Sequence, residues 1–340
     1  MSALKTVLPD LTSGKALSPD ASRMAFSAIM SGEEQPAAIA AFLTALRMRG
    51  ESVDDIVAAA ETMRANMLTV AAPTDAIDMC GTGGDGAHTL NISTAATFVV
   101  AGLGVPVAKH GNRAQSSRTG AADVLEALGV RIGLSPVAAS ECLAKAGSVF
   151  LFAQTHHPAM RHVAPVRAAL GFRTIFNLLG PLSSPAGVRR QLVGVFAPQW
   201  IEPVAHALLK LGCERAIVAH GSDGLDEITT TGPTEIALIA AGSFQRLTIS
   251  PEMSALAIAD PAALKGGDAA FNAAAIRSVL AGAPGPYRDI VCLNAAAALW
   301  VANKVNSLKE GVALAQSSLD RGLAQTALDR LVAVSQGLAS

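Results

Sequence analysis

Residues 78–94, DMCGTGGDGAHTLNIST, constrain the fold of this chain more than any other stretch. A short apolar segment, Ala76 to Cys80, leads into a loop with four glycines, and Asn-Ile-Ser-Thr then opens an Ala/Val-rich segment. The pattern predicts a strand, a glycine loop and a helix N-terminus. Glycine permits positive φ and lets a ligand approach the backbone, and the free N–H groups of a helix start favour a phosphate. Asp85 suits a loop that also contacts a sugar hydroxyl or a divalent metal.

Two other interpretations of this loop are open. Its glycines match the dinucleotide pattern G-x-G-x-x-G, but residues 98–108 lack the acidic residue with which a Rossmann site holds the ribose. The basic residues Lys109 and Arg113 follow instead, and this fits only a Rossmann site that binds NADP. A tight strand-to-helix turn without a ligand is the other interpretation, but it needs fewer glycines and capping residues than this loop has.

Composition narrows the class of protein. Of 340 residues, 51% are apolar and 16% are charged, which favours a helix-rich α/β protein with a large core or a subunit interface. The net charge of −1 argues against a nucleic-acid surface, so any anion site is local. The four cysteines have neither metal-ligand nor disulfide spacing. We expect a cytoplasmic protein with no signal peptide and no membrane-spanning segment.

The order of predicted elements indicates an α/β fold: a mostly parallel central sheet flanked by helices, with a smaller all-α domain. Residues 1–72 are predicted to form the small α-helical domain, completed by part of 160–185, and residues 75–340 the large α/β domain. We also predict one helix over Pro158 to Leu170, and three helices in the tail over 268–280, 289–305 and 308–331.

A second candidate anion-binding loop follows the next predicted strand. Lys109 and Arg113 supply positive charge, and Gly111 leaves room for a ligand. Hydroxyl groups come from Ser116 and Ser117. Ligands bind at strand ends in open α/β sheets, so we expect this segment to contact phosphate. The alternative is a solvated basic loop, which is disfavoured because Gly111 lies between His110 and Asn112.

The segment HHPAMRHVAPVR, residues 156–167, is rich in histidine and arginine. Adjacent histidines suggest a metal, but neighbours in sequence usually point apart, and the spacing does not match H-E-x-x-H. His157 and Arg167 are better explained as groups that face a ligand, since arginine can bind a carboxylate with two parallel hydrogen bonds. An ion pair between helices is the alternative role of Arg167.

Three acids lie within five residues in HGSDGLDE, residues 220–227: Asp223, Asp226 and Glu227. Clustered carboxylates repel one another, so we expect a cation among them. Oxygen ligands beside a phosphate indicate Mg²⁺ rather than zinc, and a solvated acidic turn is the alternative. The sequence therefore predicts two anion-binding loops, an acidic pair for Mg²⁺ and a set of polar side chains that suits a second substrate with a carboxylate. Together these features indicate an enzyme that transfers a group from a phosphorylated donor to that second substrate.

In this order, the motifs resemble the anthranilate phosphoribosyltransferases of tryptophan biosynthesis, whose fold is shared with pyrimidine nucleoside phosphorylases. The resemblance rests on GTGGDG with NIST, KHGNR, HHPAMRHVAPVR, RTIFNLLGPL (173–182) and HGSDGLDE, and covers about residues 18–331. It implies transfer of the phosphoribosyl group of 5-phosphoribosyl 1-diphosphate (PRPP) to the amine of anthranilate. It further implies an active site in the cleft between the domains and a homodimer formed through the small α domain.

The resemblance also implies residue roles, although it assigns no certain catalytic acid or base. PRPP would be bound by Gly81, Gly84, Asp85, Thr89, Asn91, Ile92, Ser93, Thr94, Lys109, His110, Gly111, Asn112, Arg113, Ser116 and Ser117. Anthranilate would be bound by Gly81, His110, Asn112, His157 and Arg167. Two Mg²⁺ ions per subunit would be held by Ser93, Asp226 and Glu227, partly through water and diphosphate.

Two positions depart from the pattern of the resemblance. Gly120-Ala121-Ala122-Asp123 replaces the common Gly-Ser-Ala-Asp. The missing hydroxyl predicts PRPP binding weaker by about 0.5–1.5 kcal/mol. Cys80 replaces the more usual valine, and we expect only a change in packing. A pyrimidine nucleoside phosphorylase, a non-catalytic nucleic-acid-binding relative, and the same chemistry on a related aromatic acid are the alternative functions.

Overall fold

The computed structural model describes residues 2–113 and 119–338. Four helices come first: α1 (Ala3–Thr12), α2 (Pro19–Ser31), α3 (Pro36–Arg49) and α4 (Val53–Ala65). Serine side chains cap three of them, because Ser2, Ser18 and Ser52 each accept a hydrogen bond from an N–H of the first turn. At α4 the carboxylate of Asp55 completes a capping box with Ser52. The helix starts are thus encoded locally.

A seven-stranded sheet forms the centre of the rest of the chain, in the order β3-β2-β1-β4-β5-β6-β7. Its strands are β1 (Ile77–Met79), β2 (Val107–Gly111), β3 (Ser148–Phe152), β4 (Arg190–Gly194), β5 (Arg215–Gly221), β6 (Thr234–Ala240) and β7 (Ser243–Ile249). The first five pair in parallel, and β6 and β7 extend one edge antiparallel. Chain order reverses between β1 and β4, so their carboxyl ends border the crevice where such sheets bind ligands.

Helices cover both faces of this sheet. They are α5 (Ile92–Gly102), α6 (Ala121–Ala127), α7 (Pro136–Ala146), α8 (Ala153–His156), α9 (Ala164–Leu170), α10 (Ile201–Lys210), α11 (Ala269–Leu280), α12 (Pro286–Val301), α13 (Leu308–Asp320) and α14 (Leu323–Gly337). Alternate strand residues face opposite sides. Leu192 and Ile217 join the core formed with α5 and α12, whereas Val193 and Val218 join the core formed with α10 and the N-terminal helices. The predicted fold class, an α/β fold with a smaller helical part, is confirmed.

Residues from later in the chain complete the core of α1–α4. Val166 and Leu182 belong to the same apolar cluster as the N-terminal helices, and the ring of Phe176 lies 6.2 Å from that of Phe26. Arg64 of α4 donates to the carbonyl of Leu182 at 2.7 Å. The domain division at 1–72 and 75–340 stays a prediction. Among the described residues, no helix combines the length and the apolar character that crossing a bilayer requires.

Two predicted helices are wrong in their extent. The helix expected over Pro158 to Leu170 is a 3₁₀ turn, Pro158–His162, followed by α9, because Pro165 lacks an N–H and restricts the residue before it. The tail has four described helices instead of three. The segment expected over 308–331 divides at Gly322, whose φ of 68° ends one helix and begins the next.

Candidate active site

The glycine loop and the acidic cluster meet at the crevice between β1 and β4. Asp226 Oδ2 accepts a hydrogen bond from the N–H of Gly83 at 2.7 Å, and Glu227 Oε1 accepts from the N–H of Ser93 at 3.2 Å. A Cβ on Gly81 would lie 2.3 Å from Asp226 Oδ2, and one on Gly194 would lie 1.6 Å from the Asp226 carbonyl oxygen. Both glycines are therefore required for this close approach.

Side chains outside the predicted site hold the acidic loop in place. Asn294 of α12 is fully buried, accepts from the N–H of Ile228 at 3.0 Å and donates to its carbonyl at 2.8 Å. Asp223 serves the turn itself, because its Oδ2 accepts from the hydroxyls of Thr229 and Thr231, both at 2.6 Å. Of the three acids in the motif, Asp226 therefore contacts the glycine loop and Glu227 contacts the start of α5, whereas Asp223 stabilises its own turn.

Burial and mutual repulsion perturb these carboxyl groups. Burial raises the pKa of Asp226 to about 8, and the charges of Asp85 and Glu227 add to the effect. Burial also raises the pKa of Glu227 to about 7, while the positive charge of Lys109 opposes the rise. Clustered, buried carboxyl oxygens form the donor set that Mg²⁺ prefers, and a cation there would relieve the repulsion. The residues present fit a magnesium site.

Lys109 lies beneath the start of α5. Its buried ammonium group donates to the carbonyl of Met79 and to Ser93 Oγ, the latter at 3.2 Å. Ser93 therefore contacts Lys109 through its hydroxyl and Glu227 through its backbone N–H. A positive charge and a helix N-terminus converge beside the carboxylates, which is suitable for an anion that also binds a metal.

The glycine loop presents backbone donors. Gly84 and Gly86 have φ of 76° and 74°, and the N–H groups of Gly84, Asp85 and Gly86 donate to no acceptor in the described part of the chain. Arg173 was missed as a site residue, although it begins the motif RTIFNLLGPL. Its Nη2 donates to the Gly84 carbonyl, and its guanidinium lies 4.4 Å from the ring centroid of Phe196. This contact positions the loop.

The loop end and the start of α5 are held by the segment before α11. Thr89 forms an antiparallel bridge with Lys265, and Asn91 Oδ1 accepts from Asn272 at 2.9 Å. Ile92 is buried at the start of α5, and the buried Thr94 Oγ1 has no hydrogen-bond partner among residues 2–113 and 119–338. The Thr94 hydroxyl is therefore unpaired within the described residues, whereas the Asn91 amide is already engaged.

The second predicted loop begins later than expected, because Lys109, His110 and Gly111 belong to β2, and it is only partly directed to the site. Gly111 ends β2, and Asn112 Oδ1 accepts from the N–H of Arg113 at 2.8 Å. The Arg113 guanidinium instead pairs with Asp123 at 2.9 Å and with Glu126 at 2.6 Å, both on α6. A PRPP contact would require Arg113 to exchange these partners. Ser116 and Ser117 lie outside the described residues.

The histidines of residues 156–162 diverge. His156 Nδ1 pairs with the carbonyl of Leu68 at 3.2 Å, and His162 packs against Gly32. The ring of His157 lies 5.0 Å from that of His110, which pairs through Nδ1 with the Gly180 carbonyl at 3.0 Å. Burial lowers the pKa of His157 to about 4 and that of His110 to about 3. Both facing rings are therefore neutral at physiological pH.

Arg167 lies on α9 with its guanidinium near an aromatic ring. Burial lowers its pKa, and its Cζ lies 5.8 Å from the ring centroid of Phe176. Within the described residues, it makes no ion pair, so the alternative role in a helix–helix pair is not observed. A half-buried guanidinium placed in this way is suited to a carboxylate, which its planar fork of N–H donors can bind.

Two family models match the chain. The model described as "Glycosyl transferase family, helical bundle domain" matches residues 5–67, and "Glycosyl transferase family, a/b domain" matches residues 73–325. An anthranilate phosphoribosyltransferase of Rhodopseudomonas palustris (strain HaA2) is 56% identical over 331 residues, covering 97% of this chain and 98% of the relative. One of Afipia carboxidovorans is 57% identical over 336 residues, covering 99% and 100%.

Solved structures give the same similarity. Anthranilate phosphoribosyltransferase from Thermus thermophilus superposes with a TM-score of 0.92 at 44% identity, covering 99% of this chain and 100% of that one. The Saccharomyces cerevisiae enzyme in complex with PRPP and Mg superposes at 0.92 with 27% identity. Its complex with 4-fluoroanthranilate superposes at 0.90 with 26% identity, and both yeast comparisons cover 98% of each chain.

Proposed function

The chain belongs to the glycosyl transferase family whose two domains it matches, and on this premise we propose that it transfers the 5-phosphoribosyl group of PRPP to the amine of anthranilate. The products are N-(5-phosphoribosyl)anthranilate and diphosphate, in the second step of tryptophan synthesis from chorismate. One observation carries the proposal: the carboxylate of Asp226, which is suited to bind a metal, accepts a hydrogen bond of 2.7 Å from the N–H of Gly83 in the glycine loop. Diphosphate and metal sites thus share one crevice.

PRPP binds where the glycine loop meets α5. The N–H groups of Gly84, Asp85 and Gly86, the Thr94 hydroxyl and the positive end of α5 supply hydrogen bonds to phosphate oxygens. Lys109 adds a positive charge that is already oriented by Ser93. We assign the full PRPP set as the resemblance implies it, with Ser116 and Ser117 included on sequence grounds alone.

Asp226, Glu227 and Ser93 would hold Mg²⁺, as two ions per subunit and partly through water and diphosphate. Bound there, the metal would supply positive charge against the departing diphosphate. The chain contributes by keeping both carboxylates within reach of the loop, through Asn294 on one side and the two glycines on the other. The yeast relative solved with PRPP and Mg supports this cofactor.

Anthranilate binds on the side of the crevice formed by α8, α9 and the end of β2. Arg167 receives its carboxylate, and His157, His110, Asn112 and Gly81 line the remainder. Because both histidines are neutral, their rings orient the substrate without adding charge. The yeast complex with 4-fluoroanthranilate supports an acceptor of this class.

The chemistry requires positioning rather than a strong base. As diphosphate leaves, positive charge develops at the ribose C1, and the anthranilate amine attacks from the opposite face with inversion. The new C–N bond makes that nitrogen acidic, so its proton is readily lost, and we assign no residue as general base. Alignment of the two substrates and stabilisation of the leaving group therefore provide the rate.

The direct test is the fluorescence of N-(5-phosphoribosyl)anthranilate formed by the purified protein with PRPP, anthranilate and Mg²⁺. We expect turnover that requires all three components. Phosphorolysis of a pyrimidine nucleoside without anthranilate would instead indicate a nucleoside phosphorylase. Higher kcat/KM with a ring-substituted aromatic acid would change the assigned acceptor. Salt-dependent DNA binding without turnover would indicate the non-catalytic relative.

We also propose that residues 1–72, completed by part of 160–185, act as a small domain through which two chains form a homodimer. Met48 of α3 supports an apolar interface there, because 84% of its surface is exposed. Sedimentation velocity of the full chain should give twice the chain mass, and a monomer would contradict the proposal.

The four free cysteines support a reducing cytoplasmic location.

A further inference from the structure

Strands β1 and β2 bring together a group of side chains that the proposed reaction does not use as a group. One ligand atom each from Asp78, Cys80 and His110 lies within 4.8 Å of the other two. The register pairs Ile77 of β1 with Val107 of β2, and Cys80 and His110 each lie three residues further along. Asp78 and Cys80 are two residues apart and therefore face the same side.

Two polar atoms in this group are buried without a partner. Asp78 Oδ2 and His110 Nε2 have no hydrogen-bond partner within 3.5 Å among the described residues, although the Ser184 hydroxyl is close enough to oppose the rise that burial causes in the pKa of Asp78. The two side chains are 0% and 3% exposed. Their other polar atoms are engaged: Asp78 Oδ1 accepts from the His110 N–H, and His110 Nδ1 pairs with the Gly180 carbonyl, both at 3.0 Å. A carbonyl only accepts, so Nδ1 carries the hydrogen and Nε2 a lone pair.

This arrangement is that of a metal-binding histidine, whose second ring nitrogen donates to a backbone carbonyl. The thiol of Cys80, 8% exposed, makes a contact of 3.4 Å to the Gly81 carbonyl. We propose that Asp78, Cys80 and His110 form a binding site for Zn²⁺ beside the magnesium site, since Cys80 also lines the pocket that contains Ser93, Asp226 and Glu227. Zinc takes thiolate, imidazole and carboxylate ligands at about 2.0–2.3 Å in a tetrahedron, so the three atoms need to close by about 1 Å.

The charge balance suits a buried site. The charges of a thiolate, a carboxylate and Zn²⁺ sum to zero, whereas a lone buried charge is costly. Lys109, Asp226 and Glu227 are the other charged groups that act on the Cys80 thiol. Zinc binds cysteine as the thiolate, so Zn²⁺ binding releases the Cys80 thiol proton to solvent. Mg²⁺ does not compete, because it prefers hard oxygen ligands and binds thiolate poorly.

Zinc at this position takes the lone pair of His110 Nε2. His110 is assigned to anthranilate, and the neighbouring Lys109 contacts Ser93 at 3.2 Å. Zn²⁺ therefore lowers turnover in competition with anthranilate. Only this consequence rests on the proposed function; metal binding itself does not.

The binding test uses Co²⁺ as a spectroscopic probe for the full-length protein in saturating Mg²⁺. We expect one Co²⁺ per chain, with a thiolate-to-cobalt charge-transfer band in the near ultraviolet that Zn²⁺ abolishes. Cys80→Val removes the band, whereas Cys213→Ser, which changes a thiol elsewhere in the chain, retains it. Asp78→Asn keeps the shape of the side chain and weakens the band. No band in the unsubstituted protein, or a band that survives Cys80→Val, overturns the site.

The activity test compares Zn²⁺ inhibition of the unsubstituted protein and of Cys80→Val. We expect micromolar Zn²⁺ to raise the KM for anthranilate only where Cys80 is present, and a chelator to reverse the effect. Equal inhibition of both proteins overturns the link to turnover. If the protein transferred no phosphoribosyl group at all, the proposed function would fail, while the Co²⁺ spectrum would still decide the metal site.

Discussion

Arg167 offers the most direct test of substrate assignment at the scale of single residues, because its guanidinium has no ion-pair partner among the described residues. Arg167→Ala should raise the KM for anthranilate about 10- to 100-fold, since a charged hydrogen bond contributes about 1.5–3 kcal/mol. The KM for PRPP should stay nearly constant. Steady-state kinetics with each substrate varied in turn measures both, and Arg161→Ala, on the exposed side of the preceding turn, is the matched control. Equal effects on the two KM values would contradict the carboxylate role.

Asp226 and Glu227 test the metal assignment at the same scale. The double variant Asp226→Asn/Glu227→Gln should fold, because amides resemble the protonated carboxyls that burial favours, with pKa raised to about 8 and about 7. Mg²⁺-dependent turnover should fall by about 10³-fold or more. Asp223→Asn is the control, since Asp223 bonds Thr229 and Thr231 instead of the glycine loop. A nearly normal rate in the double variant would refute the assignment.

At the scale of elements, the close approach of the glycine loop to the acidic loop after β5 can be tested by substituting two glycines. In Gly81→Ala the new Cβ would lie 2.3 Å from Asp226 Oδ2 and displace the carboxylate, so kcat should fall about 100-fold. In Gly83→Ala the Cβ meets nothing within 4 Å, although φ is 67°. That variant should lose about 1–2 kcal/mol of stability and keep most of its turnover. Thermal unfolding and the fluorescence assay separate the effects, and equal turnover in both variants would argue against close packing.

At the scale of the whole molecule, buried ionisable groups determine how stability depends on pH. Burial lowers the pKa of His157 to about 4 from its usual 6.5. The unfolded chain therefore binds the extra proton between these values, and the contribution of His157 is full above pH 6.5 and is lost as pH falls towards 4. The raised pKa values of Asp78, Asp226 and Glu227 act in the opposite direction, because the folded chain then holds the protons.

Comparison with a His157→Asn variant isolates the histidine from these carboxyls. Between pH 7 and pH 5, the unsubstituted protein should lose roughly 2 kcal/mol more unfolding free energy than the variant. Urea unfolding at the two pH values measures the difference. Parallel losses in both proteins would show that His157 is not buried in its neutral form.

Much of the fold follows from local patterns. Ser18 and Ser52 cap helices where the sequence indicates them, and the strand–glycine loop–helix order around residues 78–94 is present as predicted. These features depend on backbone conformation and on neighbours a few residues away, so a single sequence contains the necessary information. The number of C-terminal helices is harder to predict, because the left-handed backbone conformation of one glycine, Gly322, decides whether one helix or two form.

The sequence by itself determined which residue types carry the chemistry: a glycine loop, a lysine and a pair of carboxylates. Only the tertiary structure decided their partners. It turned Asp223 and Arg113 to local contacts, placed Arg173 and Asn294 where they position the loops, and set Cys80 beside Asp78 and His110. The reason is physical: local propensity acts over one helical turn, whereas these contacts depend on strand order, register and the close approach of backbones far apart in the chain.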